Sequence, residues 1–265
     1  MKIAALQLST LPLSNSKLDL YLKSCSRNAV RVVVLGEYVL NSFFKELSTM
    51  PKSMIHEQSK HKIEALSEYA FTYNLVIVAP IVVVEEEKIY KRIGKFTPAG
   101  VEFHDQEFLI NYPHWNEEAF FDNEPHHRVK PMVFTLGGFR FGVINGFEIH
   151  FDVMWQEMVK QNVHVVLLPS VSTFGSNQRW NEILKTRAFL NGLYILRVNR
   201  IGAYHNEESL WKFYGETYLV NPDGFIENAL GAQEEMLLAN VLKKEVQEAR
   251  KVWKFQDQLH KRGLL

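Results

Sequence analysis

The side chains that could bind a metal or carry out catalysis are scattered along this sequence. The chain has ten histidines, of which His126 and His127 are adjacent, while Glu148 and His150 lie close together further on. Transition metals need several such ligands at defined spacings, for example H-E-x-x-H, and no such spacing occurs. We therefore expect no metal site, and we interpret the two adjacent histidines next to Pro125 as solvated loop residues.

The residues around the single cysteine, Cys25, indicate a role in packing and not in catalysis. It shares the apolar face of a predicted helix with Leu18 and Leu22, where a free thiol usually behaves as a small buried hydrophobe. One cysteine also excludes a disulfide scaffold and a cysteine-rich zinc site. The sequence has no G-x-G-x-x-G, no phosphate-binding loop and no G-x-S-x-G turn, so we predict no cofactor.

Composition excludes several classes of protein. The chain has 265 residues, 46% of them hydrophobic, with 30 basic and 30 acidic side chains. A net charge of zero leaves no electrostatic footprint for nucleic acid. No apolar run approaches the ~20 residues that a membrane span needs. The first ten residues are too polar for a secretory signal and are typical of a strand. These features predict a cytoplasmic globular protein without nucleic-acid or membrane partners.

Strand-like and helix-like segments alternate along most of the chain. Apolar, β-branched runs predict strands over 3–8, 31–35, 75–84, 163–168 and 194–199. Helical spacing of apolar residues predicts helices over 16–26, 51–74, 151–161, 180–192 and 243–262. Pro80 predicts a strand end or a bulge. Turn residues at 97–100 and at Gly137-Gly138 predict antiparallel hairpins in the middle, so the pattern indicates a layered α/β protein.

Six phrases, in order along the chain, resemble the carbon–nitrogen hydrolase (nitrilase) superfamily. They are the opening strand that ends at Gln7, VVVLGE with Glu37 at its end, GFRFGVINGFEIHFD, VVLLPS, WNEILKTRAFLNGLYILRVNRIG and the hairpin YGETYLVNPDG. Gly36 stands where the family has a proline. Because the phrases cover nearly the whole chain, the sequence is identified as a member of this family, with one domain over residues 1–265.

The resemblance implies both a fold and a chemistry. The fold is an α/β, nitrilase-like α–β–β–α sandwich, in which two central sheets lie between layers of helices. Family members usually form homodimers or higher homo-oligomers by packing helices together. Their Glu-Lys-Cys triad hydrolyses a small amide, nitrile or carbamoyl compound through a thioester. The thiolate attacks carbon, the carboxylate acts as general base and the ammonium group stabilises the oxyanion.

Carried over residue by residue, the resemblance retains only one member of the triad. Glu37 matches the general base, whereas the cysteine position falls on Gly146. The lysine position falls on Tyr112 when His114 is matched, or on Pro113 after a shift of one residue. No lysine occurs between positions 95 and 130. One replacement alone would be compatible with an engineered inactivation, but two favour natural degeneration.

Further residues match other positions of the family. Glu117 best matches the second, supporting glutamate, and Glu118 is a close rival. Four more matches fall on positions that we interpret as scaffold: Glu148, His150, Arg187 and Asn199.

Three functions are compatible with these residues. The first is hydrolysis of a small amide-like substrate, strongly impaired because the thiol is missing. The second is a pseudoenzyme that binds a small ligand or a protein partner in the inherited pocket. Replacement of cysteine by glycine would enlarge this pocket, and Tyr112 could hydrogen-bond a ligand in it. The third and weakest is rerouted catalysis by nearby groups that could cluster in space: Glu37, Glu117, Glu148, Tyr112 and His150.

Overall fold

Two six-stranded sheets face each other in the computed structural model, which describes residues 1–206 and 209–265. Strands are numbered in chain order. The first sheet has the order β16-β1-β2-β3-β4-β5. It contains β1 (Lys2–Gln7), β2 (Val32–Leu35), β3 (Val76–Glu85), β4 (Lys88–Thr97), β5 (Gly100–Asp105) and β16 (Glu235–Asn240). The second sheet has the order β15-β14-β11-β10-β9-β8. It contains β8 (Val133–Leu136), β9 (Phe139–Val143), β10 (Val165–Ser170), β11 (Tyr194–Asn199), β14 (Tyr218–Val220) and β15 (Ile226–Ala229).

Helices and two short hairpins complete the fold. The hairpins are β6 (Asn111–Tyr112) with β7 (Trp115–Asn116), and β12 (Ile201–His205) with β13 (Leu210–Tyr214). The helices are α1 (Ser16–Arg27), α2 (Phe44–Leu47), α3 (Lys52–Tyr73), α4 (Asp152–Lys160), α5 (Asn177–Asn191), α6 (Lys243–Trp253) and α7 (Phe255–His260), and a 3₁₀ helix covers Gly146–His150. None of the described helices combines the length and the apolar character needed to span a bilayer.

Apolar side chains form layers on both faces of each sheet. Between the sheets, Val34 and Val78 of the first sheet belong to one buried cluster with Val143 and Leu167 of the second. The outer face of the first sheet packs against α1 and α3, and that of the second packs against α4 and α5. The structure is therefore the α–β–β–α sandwich that the sequence predicts. Strands buried on both faces explain the continuous β-branched runs, because each face needs apolar cover.

The structure differs from the predicted elements at two places. Strand β3 runs without a break through Pro80, which pairs with Ile93 of β4. Strand β2 pairs with β3 only as far as Val78, so Pro80 has a neighbouring strand on one side and its missing N–H leaves no ladder bond unmade. The predicted C-terminal helix is divided into α6 and α7 at Lys254, whose φ of 56° is left-handed.

The arrangement of parallel strands defines one edge of the molecule. Strands β1, β2 and β3 are parallel to one another, and so are β9, β10 and β11. Parallel strands end at the same edge of a sheet, where the ligands of α/β proteins usually bind. Glu37 follows the end of β2, and Gly146 follows the end of β9.

Candidate functional site

Glu37 lies next to a close approach between the two sheets. A Cβ atom added at Gly36 would stand 3.1–3.3 Å from backbone atoms of Arg200, Val198 and Ser170 in the second sheet. The backbone N–H of Glu37 donates to the carbonyl oxygen of Ser170 at 3.3 Å. This close approach places the carboxyl group of Glu37 at the floor of a cavity, with the residue only 2% exposed.

A lysine, Lys91, joins Glu37 to the second glutamate. Its Nζ atom lies 2.6 Å from Oε2 of Glu37 and 2.8 Å from Oε1 of Glu117. Lys91 comes from β4 and is 2% exposed, so this ammonium group is as buried as its partners. The site therefore contains two carboxyl groups that share one ammonium group.

Glu117 is held by more donors than Glu37. Lys91 Nζ donates to both of its oxygens, at 2.8 and 2.9 Å. Tyr38 Oη donates to Oε1 at 2.5 Å, and Trp115 Nε1 donates to the same oxygen at 3.3 Å. Glu117 is fully buried, whereas its rival Glu118 is exposed. The structure thus places Glu117, and not Glu118, next to Glu37.

The structure places a lysine beside Glu37 that matching to the family phrases did not find. Tyr112, which matches the lysine position of the family, lies on the rim of the cavity and is 43% exposed. Its ring stacks on His114 and meets Phe147 edge-on, and neither contact involves the two glutamates. The ammonium group is supplied by Lys91 on β4, in a segment that carries none of the family phrases. Sequence matching within one segment could not find a lysine that another strand brings next to Glu37.

The alternation of β4 contains a signal for Lys91. Ile89, Lys91 and Ile93 are buried, while Tyr90 and Arg92 between them are partly exposed. Successive side chains of a strand point to opposite faces, so Lys91 occupies a position of the apolar face. A lysine is almost never fully buried unless it is paired. Its place in this pattern therefore indicates a buried carboxylate partner.

Gly146 begins the 3₁₀ helix and lies against the Glu37 side chain. Its φ is +22°, and a Cβ atom added there would stand 2.0 Å from Oε1 of Glu37. The carboxyl group of Glu37 thus occupies the space that a side chain at position 146 would need. The expectation that glycine would enlarge the pocket is wrong, because Glu37 fills the space.

Burial and the two charged neighbours of Glu37 together set its protonation. Burial raises its pKa, Lys91 lowers it and the nearby charge of Glu117 raises it again, so that the pKa is about 7. Burial alone would lower the pKa of Lys91, but the carboxylates of Glu117 and Glu37 outweigh burial and raise it. Lys91 is therefore charged, and Glu37 is the group that exchanges a proton near neutral pH.

Glu148 is buried but lies apart from this cluster. Its Oε2 accepts the backbone N–H of Asn145 at 2.8 Å, and its Oε1 accepts that of Glu107 at 2.7 Å. Burial raises its pKa to about 7, although these backbone donors act in the opposite direction. Glu148 holds the start of the 3₁₀ helix in place, which is a scaffold role and speaks against a single catalytic cluster of carboxylates.

The other matched positions are also bonded to the scaffold. Asn199 accepts the backbone N–H of Ser172 at 2.9 Å and donates to the carbonyl oxygen of Gly215 at 2.6 Å. Arg187 pairs with Asp152 at the start of α4. His150 is exposed at the cavity rim, and its Nδ1 lies 2.8 Å from the carbonyl oxygen of Phe147.

The cavity above Glu37 has a volume of about 690 Å³. This is within the usual range for small-molecule sites. Ser172 and Thr173 lie near its floor, and Arg179 lies on an exposed part of its wall. Seven rings line it: Tyr112, His114, Trp115, Phe147, His150, Phe174 and Trp180.

Cys25 lies outside the cavity. It is fully buried on α1, where Sγ is 3.3 Å from Sδ of Met236. Burial raises the pKa of this thiol to about 12, so it is protonated and unreactive. The structure thus confirms the packing role that the sequence predicts for it.

The histidine pair of the sequence is exposed. His126 Nδ1 lies 3.0 Å from Oε2 of Glu107, and His127 is exposed next to it. Within residues 1–206 and 209–265, no group of three or more His, Cys, Asp or Glu side chains is arranged to hold a metal ion.

A family model described as carbon-nitrogen hydrolase matches residues 2–251. The chain belongs to the carbon–nitrogen hydrolase family. No curated protein matches it significantly. A solved carbon–nitrogen hydrolase from Helicobacter pylori G27 is 17% identical with a TM-score of 0.84, and the match covers 97% of this chain and 94% of that one.

Two further solved structures share the fold of this carbon–nitrogen hydrolase family protein. Nit3 of Saccharomyces cerevisiae, a member of branch 10 of the nitrilase superfamily, is 18% identical with a TM-score of 0.76, over 96% of this chain and 94% of that one. A mutant of the amidase from Nesterenkonia sp. AN1 is 19% identical with a TM-score of 0.76, over the whole of both chains. In that amidase, acrylamide has added to the active-site cysteine.

Proposed function

We propose that this carbon–nitrogen hydrolase family protein binds a small amide-like ligand in the aromatic cavity and does not form a thioester. The observation that carries the proposal is the position of Glu37, whose Oε1 would be 2.0 Å from a Cβ atom at Gly146. A carboxyl group thus stands where the family needs a thiol. The amidase from Nesterenkonia has an active-site cysteine, whereas the cysteine of this chain is buried in α1.

The floor of the cavity offers both an acceptor and a donor to an amide. The ionised carboxyl group of Glu37 accepts hydrogen bonds, so it can receive an amide N–H. The hydroxyl oxygen of Ser172 accepts a bond from Arg197 Nη2 at 3.0 Å. Its own proton is then free to be donated to an amide oxygen. The rings of the walls provide apolar surface for the rest of the ligand.

Ligand-observed NMR with primary amides, nitriles, carbamoyl compounds and carboxylates tests this proposal. We expect saturation transfer to amides in particular, and weaker binding after Tyr112→Ala, because Tyr112 is on the cavity rim and half-exposed. Phe225→Ala is the matched control, since Phe225 is an exposed ring that does not line the cavity. If no amide binds, or if both variants bind alike, the proposal is wrong.

Mass spectrometry of the same compounds after incubation tests the chemistry. We expect no thioester on the wild-type protein. We also expect none on Gly146→Cys, because the Glu37 carboxyl group blocks the new side chain. An acyl adduct on Gly146→Cys would show that Glu37 moves aside easily and would contradict the blocked arrangement.

A second candidate function is hydrolysis by water that Glu37 activates directly. The pKa of about 7 favours it, because a general base works best when its pKa is close to the working pH. Such assistance is worth only about 10²–10⁴-fold. Slow formation of product by the wild type that disappears in Glu37→Gln would support this function. If the wild type forms no product, ligand binding remains as the only proposed function.

A homodimeric state and a cytoplasmic location are part of the same proposal. They rest on the resemblance to the family and on the composition, with one unpaired cysteine. Light scattering after gel filtration measures the oligomeric state, and a monomer at micromolar concentration would contradict the proposal. Fractionation of cells that express the full chain tests the location.

A further inference from the structure

A second cavity, of about 360 Å³, lies at the opposite edge of the second sheet from Glu37. Arg140 near the start of β9 and His164 just before β10 line it, together with residues of α6. The amino ends of β9 and β10 are therefore next to this cavity, whereas their carboxyl ends are next to the aromatic cavity. No residue of the proposed amide site takes part in it.

Positive charge in this cavity has no acidic partner. Arg140, Lys243 and Arg250 line it, and none of the described residues that line it is an Asp or a Glu. Glu245 lies nearby in the first turn of α6 and accepts a hydrogen bond from Tyr194 Oη. Arg250 is the partly buried member of this group, whereas Arg140 and Lys243 are exposed. Three cations around one concave space, without a counter-charge, favour an anionic ligand.

The three cations are held in place by neutral oxygens. A carbonyl oxygen orients a cation but does not cancel its charge, so the side chains are preorganised while their positive field persists. The contacts are Arg140 Nη1 to Gln161 O at 2.6 Å, Lys243 Nζ to Gly138 O at 3.0 Å, Arg250 Nε to Gly192 O at 2.9 Å and Arg250 Nη2 to Val163 O at 2.5 Å.

His164 contributes a neutral donor to the same space. Its Nδ1 accepts the backbone N–H of Arg140 at 2.9 Å, so the neutral ring has its proton on Nε2. The ring is 7% exposed, and burial and the neighbouring Arg250, Lys243 and Arg140 lower its pKa to about 4. Burial is the larger cause of this lowered pKa, so the ring stays neutral and keeps its Nε2–H as a hydrogen-bond donor.

Helix α6 adds to the positive field in this cavity. It begins at Lys243 and has 11 residues, and its first residue lines the cavity. The free N–H groups of a helix start attract anions. Thr135 and Gln247 also line the cavity and supply neutral hydrogen-bonding groups. All these groups suit a compact oxyanion with several acceptor atoms.

We propose that the cavity between α6 and β9 binds a phosphate group, through Arg140, Lys243, Arg250 and the Nε2–H of His164. A phosphate group has three or more strong acceptor oxygens and up to two negative charges, which match several convergent donors better than a single carboxylate does. The site is independent of the amide site, so either proposal can fail while the other stands.

Titration calorimetry with inorganic phosphate, at constant ionic strength, is the experiment that tests the site. We expect saturable binding of phosphate, with acetate at least about tenfold weaker. Lys243→Glu and Arg140→Gln each remove a cation from an exposed position, and we expect each to weaken phosphate binding by about tenfold or more.

Lys244→Glu is the matched control. Lys244 is the next residue of α6, is exposed, pairs with Glu248 and does not line the cavity. The same change of charge should leave the affinity within about threefold, because exposed charges at a distance are screened by salt. The proposal is overturned if phosphate does not bind saturably, if acetate binds equally well, if Lys243→Glu retains the wild-type affinity, or if Lys244→Glu weakens binding as much.

Discussion

The cluster of Glu37, Lys91 and Glu117 places two buried carboxyl groups around one buried ammonium group. Glu117 accepts hydrogen bonds from Lys91, Tyr38 and Trp115, and Glu37 pairs with the same ammonium group of Lys91. A buried cation and its partners stabilise one another only while all are present. The residues of this cluster therefore constrain one another's charge.

Replacing Lys91 tests this dependence. We expect Lys91→Met to lower the free energy of unfolding by about 3–5 kcal/mol at pH 8, because two buried carboxyl groups then lose their counter-charge. Urea denaturation measures it. Lys95→Met on the same strand is the control, with an expected loss of less than about 1 kcal/mol, since its partner Glu102 is 70% exposed. Equal effects of the two variants would mean that the cluster does not depend on Lys91.

At the scale of elements, the backbone of the 3₁₀ helix Gly146–His150 packs directly against the side chain of Glu37. Gly146 has φ +22°, a value that L side chains rarely adopt, and it lies directly under Glu37. Asn145 and Glu148 hold the two ends of this turn to each other, with Glu148 Oε2 2.8 Å from the Asn145 nitrogen. The element is therefore built around a residue without a side chain.

Adding one methyl group to this element tests the fit. We expect Gly146→Ala to cost about 2–4 kcal/mol of stability, from the strained backbone and from the contact with Glu37. Gly175→Ala is the control, because Gly175 has φ +60° with nothing within 4 Å of an added Cβ, so it adds only backbone strain. In the double variant Gly146→Ala/Glu37→Ala, the loss of unfolding free energy should be smaller than the sum of the losses in the two single variants. The reason is that the double variant has no contact between the new methyl group and a carboxyl group. Additive losses in thermal or urea unfolding would contradict the contact.

At the scale of the whole molecule, two buried carboxyl groups set a pH dependence of stability. Glu37 and Glu148 both have a pKa of about 7 in the folded chain, raised by burial, against an ordinary value of 4.5. A raised carboxyl pKa means that the folded state binds the proton more tightly than the unfolded state does. This contribution to stability is complete below pH 4.5 and is lost as the pH rises through about 7.

The difference between wild type and Glu37→Gln isolates one of these groups. We expect the wild type to lose more unfolding free energy than Glu37→Gln between pH 5.5 and 8, because the variant has no proton to release at this position. His164, whose pKa is lowered to about 4, affects both proteins alike. Glu118→Gln, at an exposed position, should keep the wild-type pH dependence. If the unfolding free energies of wild type and Glu37→Gln changed equally with pH, this would contradict the raised pKa of Glu37.

The sequence alone determined the layered α/β fold, the family and the absence of a thiol at position 146. Strand and helix periodicity is local, and the family phrases around Glu37 and Gly146 are continuous segments, so both could be read directly. Glu117 was found in the same way. The packing role of Cys25 followed from its place among apolar residues of one helix.

Only the tertiary structure decided which groups meet. Lys91 comes from β4, Glu37 from the end of β2 and Glu117 from the residues after β7, so their contact depends on sheet order and strand register. The periodicity of β4 could have placed Lys91 on an inward face but not named its partner, because alternation gives the side of a strand and not its neighbours. The fit of the Glu37 carboxyl group over Gly146 likewise depends on how closely two sheets pack, which is a property of the assembled core.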